Sequence, residues 1–178
     1  MTKGGFMPRL QFPLPGIDSL EIRNTPGSPK KGGLFGYTRS GGKKFHAGVD
    51  LKAPLGTSVV AAGGGKVVYA GWAKGYGNVV YIAHANNLQT RYAHLQTLNV
   101  ETNQWIEQGE LIGTVGKTGN AAGKSIKPHL HFEVRTLNEQ NSVPQDPLPF
   151  LYKPRMGGSS FLTRDADREA QWKKLGGV

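Results

Sequence analysis

Cysteine is absent from the 178 residues, which excludes disulfide scaffolds, thiolate zinc fingers and Cys nucleophiles. No apolar run approaches the ~20 residues that a membrane helix needs, so no membrane span is expected. Residues 1–16 carry Lys3 and Arg9 but no apolar stretch, so no secretory signal peptide is visible. Acidic residues are scarce: 12 Asp+Glu stand against 22 Lys+Arg, a formal charge of +10. Charged residues reach only 19% and hydrophobic residues 37%, too apolar and too lightly charged for a disordered chain. Any chemistry must therefore rest on His, Asp, Glu, Ser or Tyr.

The positive excess suits a polyanionic partner such as nucleic acid, a membrane surface or an anionic cell wall. The basic residues are scattered, the longest run is two, and no nucleic-acid-binding motif accompanies them. Direct nucleic-acid recognition is not expected.

Turn chemistry is abundant, with 26 Gly and 11 Pro. Residues 1–43 hold nine Gly and five Pro, with short apolar pieces such as Leu10-Gln11-Phe12 between the breakers. Residues 1–33 read as an extended arm wrapping a core, with little regular structure of its own. From Phe45 to Leu151 the texture changes to short β-rich runs, at 57–62, 66–70, 78–83, 90–95, 111–115 and 129–135. Gly63-Gly64-Gly65, Gly75-Tyr76-Gly77 and Asn86-Asn87 punctuate them. Strands at such spacing predict an all-β sandwich or barrel-like domain. In the tail, 156–178, the stretch 163–175 is the best helix candidate. It has Asp165, Asp167 and Glu169 early, Lys173 and Lys174 late, and Gly176-Gly177 as a stop.

Five histidines are spread along the chain: His46, His84, His94, His129 and His131. Read as a strand, His129-Leu130-His131-Phe132-Glu133-Val134 puts His129, His131 and Glu133 on one face and the apolar residues on the other. The two imidazoles then stand roughly 7 Å apart at Cα, so one can bind a metal while the other stands beside it. In Phe45-His46-Ala47-Gly48-Val49-Asp50, a straight strand would hold His46 and Asp50 about 13 Å apart, too far to share an ion. Gly48 and Val49 are poor helix formers. A bend at Ala47-Gly48 would fold both side chains to one point, although His-x-x-x-Asp alone also arises by chance. His94, in Tyr92-Ala93-His94-Leu95, reads as the end of a buried strand turned inward or into a cleft. His84, at a strand-to-turn junction, reads as structural.

Together these pieces resemble the lysostaphin/LytM-type zinc metallopeptidases, the M23 family of peptidoglycan endopeptidases, from about Leu34 to Tyr152. The likeness extends to Ala53-Pro54-Leu55-Gly56-Thr57, Val60-Ala61-Ala62, Gly75-Tyr76-Gly77-Asn78 and Gly109-Glu110-Leu111-Ile112-Gly113. It implies a peptidase domain over 34–155, a small antiparallel β-sheet protein with a groove for a peptidoglycan peptide. Zn2+ would be held by His46, Asp50 and His131, with His94 and His129 flanking the water. Tyr76, Asn78 and Tyr92 would border the groove. Such a donor set leaves an open position on zinc, which lowers the pKa of water and polarises the scissile carbonyl. His129 is then the expected general base, and His94 the group that stabilises the oxyanion or protonates the leaving amine. Their division of roles stays open. One departure is the longer loop from Thr118 to Pro128, with Lys124 and Lys127, where the family usually has a short loop ending in Gly-Pro.

Three rivals are weaker. Iron oxygenases with a facial triad usually carry His-x-Asp. Biotinyl- or lipoyl-carrier barrels, which the turn motifs also resemble, need a modified Lys at a hairpin tip, a setting that Lys74 and Lys117 lack. A non-catalytic LytM-like wall-binding or regulatory module would have lost ligands, and here all three are intact. A wall substrate without a visible export signal leads to the expectation of release at lysis, a phage particle or a contact-dependent toxin with a cognate inhibitor, or else of a truncated chain.

Overall fold

The computed structural model describes residues 9–17, 21–23 and 32–152. The helix candidate at 163–175, and the whole tail 156–178, lie outside the described residues. Glycine, proline and asparagine cut the chain into extended pieces. These are β1 (Leu10–Gln11), β2 (Gly36–Arg39), β3 (Lys44–His46), β4 (Val49–Lys52) and β5 (Ser58–Val60), then three long strands, β6 (Gly65–Ala73), β7 (Gly77–His84) and β8 (Leu88–Leu98). Five more follow: β9 (Trp105–Ile106), β10 (Leu111–Val115), β11 (His129–Leu137), β12 (Ser142–Gln145) and β13 (Leu151–Tyr152). Three short 3-10 turns, at Ser40–Gly42, Gly119–Ala122 and Leu148–Phe150, are the only helical pieces among the described residues. None is long and apolar enough to cross a membrane.

Nine strands form one antiparallel sheet in the order β12-β11-β8-β7-β6-β9, with β4 beside β11 and β10 between β8 and β5. The fold is therefore all-β. The β7–β8 hairpin closes through Asn86 and Asn87 at φ 60 and 55, left-handed values that asparagine tolerates better than most residues. β8 runs beyond the expected 90–95 in both directions, because its polar ends still pair with β7, β10 and β11.

Tyr92, Phe132, Leu51, Ile82, Ile112 and Leu130 are fully buried between the strands. Each such side chain contributes roughly 1.5–3 kcal/mol over remaining exposed. Leu10, Phe12 and Leu14 enter the same core from the chain's beginning. Gln11 N–H donates to the Ala62 carbonyl and Phe12 N–H to that of Tyr152, both at 2.7 Å. Residues 21–23 lie along β4, where Ile22 bridges Leu51 and Lys52 N–H donates to the Glu21 carbonyl at 2.9 Å.

β11 departs from a strand with one covered face: His129, Leu130, His131, Phe132, Glu133 and Val134 are all buried. It is an interior strand, paired with β4, β8 and β12. On its polar side His131 lies against His46, Tyr76 and His94 rather than solvent. Gly48 makes the approach of β4 possible, since a Cβ there would collide with the Phe132 carbonyl oxygen.

His84 is structural. Its Nδ1–H donates to the Gly64 carbonyl at 2.9 Å, and Nε2 lies 2.7 Å from Thr90 Oγ1. Thr90 in turn meets the Tyr92 hydroxyl, which accepts from Ala62 N–H, so a buried polar chain links β8 to the Gly63-Gly64 turn. Burial, against a smaller contribution from the Gly64 bond, pushes His84 down to about 4. The unfolded chain takes up this proton near pH 6.5 and the folded chain only near 4. The stability the neutral ring confers is therefore lost as pH falls through that window, by on the order of 3 kcal/mol. In urea titrations the stability gap between wild type and His84→Gln should narrow from pH 7 to 4.5. A gap that stays constant would refute the assignment.

Candidate metal centre

β3 ends at His46, the chain bends at Ala47-Gly48, and β4 begins at Val49, so His46 and Asp50 turn to one point. Across the sheet, Asp50 stands directly opposite His131 in the β4–β11 register. His46 Nε2 lies 3.0 Å from His131 Nδ1, and Asp50 Oδ1 lies 3.1 Å and 3.0 Å from these two nitrogens. Three donors so close, all buried, match the span required by bonds of about 2.0–2.2 Å to a single first-row ion. The chemistry of the set, two imidazoles and a carboxylate, fits zinc.

Each ring has its second nitrogen held. His46 Nδ1–H donates to the Leu34 carbonyl at 2.8 Å, which leaves the Nε2 lone pair for a cation. His131 Nε2–H donates to Glu133 Oε1 at 2.9 Å, and Nδ1–H to Asp50 Oδ1 at 3.0 Å. Burial opposes the charge on this ring, but the two carboxylates outweigh it and push the ring up to about 9. A cation would take Nδ1 by displacing its proton. His94 Nδ1–H donates to the Thr118 carbonyl at 2.9 Å, and His129 Nδ1–H to that of Lys127 at 2.8 Å, so both keep Nε2 as an acceptor. The loop that departs from the family pattern thus supplies a carbonyl near each of its ends.

His94 reaches this cluster through a break in strand geometry. By alternation it would share the face of Tyr92, which packs on Phe132 with ring centroids 5.3 Å apart. Instead its ring lies 5.1 Å from that of His129 and 5.8 Å from that of His131, on the opposite face. His94 has φ 64, and β8 shifts register against both β7 and β10 beside it. A left-handed residue inside a strand makes a bulge that re-aims its side chain.

Glu133 is the centre's second carboxylate. It accepts from His131 Nε2–H, from the Tyr76 hydroxyl at 2.7 Å and, on Oε2, from Arg135 Nη1 at 2.7 Å. Burial opposes its charge, but His131, then Tyr76 and Arg135, outweigh it and hold the carboxyl down to about 2. Burial, then the Glu133 charge, pushes Tyr76 up to about 12. Asp50 is likewise held well below the usual range by the His131 and His46 bonds, against burial. His94 is pushed down to about 3, first by burial and then by His131 and His129; burial also lowers His129.

Four histidines and Asp50 therefore come together, and Tyr76 lies beside them. Asn78 is half-buried at the edge, where its N–H donates to Thr118 Oγ1 at 3.0 Å and its side chain to the Gln96 carbonyl at 3.3 Å. Tyr92 is a correction: it is 0% exposed in the core and borders no groove, because its position on β8 faces Phe132. Sequence reasoning put Glu133 on the face of His131 but gave it no task. An acid two residues from a histidine on the same strand face was the signal. Arg23 and Arg39, both on Asp50, had none.

The family model for peptidase family M23 matches residues 44–147, more than half of the chain, and the chain belongs to that family. The DD-carboxypeptidase/endopeptidase Mpg of Neisseria meningitidis serogroup B is 34% identical over 135 residues, 76% of this chain and 30% of Mpg. The peptidoglycan DD-endopeptidase ShyC of Vibrio cholerae is 46% identical over 90 residues, 51% of this chain and 20% of ShyC. The chain spans less than a third of either relative. The solved catalytic domain of the antimicrobial peptidase lysostaphin from Staphylococcus simulans aligns at a TM-score of 0.56 and 37% identity, over 66% of this chain and 87% of that domain.

The bulge can be tested by stability. At a left-handed position glycine is favoured over alanine, so His94→Gly should be more stable than His94→Ala by roughly 1 kcal/mol in thermal or urea melts. The opposite order would mean that residue 94 has ordinary strand geometry.

Proposed function

We propose that the chain is a zinc-dependent endopeptidase that hydrolyses peptide bonds in bacterial peptidoglycan stems or cross-bridges. The observation that carries this is the pairing of a three-donor triangle with two further histidines whose Nε2 lone pairs are left open beside it. Family membership supports the reaction class, and the names of Mpg and ShyC favour D,D bonds as the first to try. The alternative, a non-catalytic wall-binding module, has no use for these two histidines.

His46 Nε2, Asp50 Oδ1 and His131 Nδ1 would hold the ion. Bound there, zinc supplies a Lewis acid that polarises the scissile carbonyl and makes water acidic enough to attack near neutral pH. His129 takes the proton of the attacking water at Nε2. Its Nδ1–H stays on the Lys127 carbonyl, and Asp50 Oδ2, 3.8 Å from Nε2, stabilises the imidazolium that forms. The His129 imidazolium then passes that proton to the leaving amine, while His94, a neutral ring fixed through the Thr118 carbonyl, turns its Nε2 lone pair to the site as a second acceptor. Tyr76 and Glu133 keep His131 in its ligating tautomer.

The direct experiment digests purified sacculi of defined chemotype and identifies the new termini by mass spectrometry. New amino termini should appear within the stem or cross-bridge peptides, and intact sacculi after digestion by metal-loaded protein would refute the reading. In parallel, metal analysis should find one zinc per chain in wild type and none in His131→Ala. His129→Ala should keep its zinc but lose about 10²–10⁴ in rate, the usual worth of a positioned acid–base group. If His129→Ala loses zinc as fully as His131→Ala, His129 is a ligand and not the base.

Directed at the wall of another cell, the same hydrolysis would be antibacterial. The wild-type chain fused to an export signal should then lyse a susceptible host, and the exported His129→Ala chain should not. Equal growth of the two cultures, across hosts of differing wall chemistry, would count against a wall-lytic activity.

A further inference from the structure

Asp50 is fully buried, and its two oxygens face different partners. Oδ1 belongs to the donor triangle, 3.1 Å from His46 Nε2 and 3.0 Å from His131 Nδ1. Oδ2 is held by two guanidinium groups. Arg39 Nη2 donates to it at 2.7 Å, while Arg23 approaches through Nε at 3.2 Å and Nη2 at 3.1 Å.

Both arginines are fixed by backbone contacts of their own. Arg23 N–H donates to the Asp50 carbonyl at 2.9 Å, Asp50 N–H to the Gly33 carbonyl at 2.8 Å, and Gly33 N–H to the Arg23 carbonyl at 2.9 Å. These three bonds place Arg23 alongside the residue whose side chain it holds. Arg39 Nε–H donates to the Gly32 carbonyl at 3.2 Å, which aims its remaining nitrogens at Asp50. Both residues lie outside the 44–147 stretch that matches the family model.

A carboxylate with both oxygens free can bind an ion through one or through both, and swings between the two. We infer that Arg23 and Arg39 are positioning residues of the metal centre: by occupying Oδ2, they keep Asp50 a one-oxygen ligand through Oδ1. The inference rests on the zinc reading above. A ligating carboxylate is ordinarily held by outer hydrogen bonds, and their loss costs about 10–100-fold in metal affinity or activity.

Arg39 Nη2 also stands 2.8 Å from His46 Nε2, and this gives the test its opposite direction. A guanidinium that merely competed with the ion for His46 would weaken binding, so removing it would tighten the site.

The experiment uses the full chain as wild type, Arg23→Gln, Arg39→Gln and Arg39→Lys. Zinc affinity is read by competition with a chromophoric chelator, and the coordination number from the visible absorption of the Co2+-loaded protein. Both Gln variants should bind zinc about 10–100-fold more weakly. Their cobalt d–d bands should lose intensity as Asp50 closes on the ion with its second oxygen. Arg39→Lys, which restores a cationic donor, should recover most of both signals. Unchanged or tighter zinc binding with an unaltered cobalt spectrum would overturn the inference. Should Arg23→Gln fail to fold, Arg39→Gln carries the test, its side chain being 30% exposed against 16%. A wild type that binds no zinc strikes the metal reading itself, a result distinct from equal binding by all four proteins.

Discussion

Each histidine of the centre has one ring N–H accepted by a group that the fold puts in place, and the proposed chemistry depends on that constraint. An imidazole with a free choice of tautomer offers a lone pair on either nitrogen. Here the Leu34, Thr118 and Lys127 carbonyls and the Glu133 carboxylate make the choice. Three of the four turn Nε2 to the cluster, and His131 turns Nδ1. Without those acceptors the same five residues would sit together with no defined set of donors.

Rigid pairing supplies the positions. Asp50 and His131 face each other because β4 and β11 run antiparallel in that register, and a slip by one residue would send one of them to the opposite face. Gly48 lets the strands come close enough, and the bend before it brings His46 in from a different hairpin. At His94 the sheet gives up regularity: the left-handed residue moves one imidazole from the core side to the metal side. A strand cannot otherwise place residues 92 and 94 on opposite faces.

The centre is also a composite along the chain. Residues 44–147 contain every proposed ligand and both proposed acid–base histidines. Leu34, Arg39 and Arg23 come from before that stretch and hold His46 and Asp50 from outside. The same part of the chain sends Leu10, Phe12 and Leu14 into the core. What reads in sequence as a Gly/Pro-rich extension is, where the structure describes it, packed into the domain and bonded to the site.

Local pattern was enough for much of this. Short β-runs between turn residues announce an all-β fold, and the His-x-His strand and the His-x-x-x-Asp bend, taken together, mark candidate metal donors, because strand periodicity and donor spacing are properties of a few neighbouring residues. The order of those motifs also marks the family. Sequence alone did not bury the polar face of β11, remove Tyr92 from the groove, or give Glu133, Arg23 and Arg39 their partners. Those outcomes depend on which strand lies next to which, on a bulge that no residue type demands, and on backbone carbonyls, which every residue carries alike. Contacts between residues 23 and 50, or 94 and 118, exist only once the sheet has closed, and tertiary structure alone decides them.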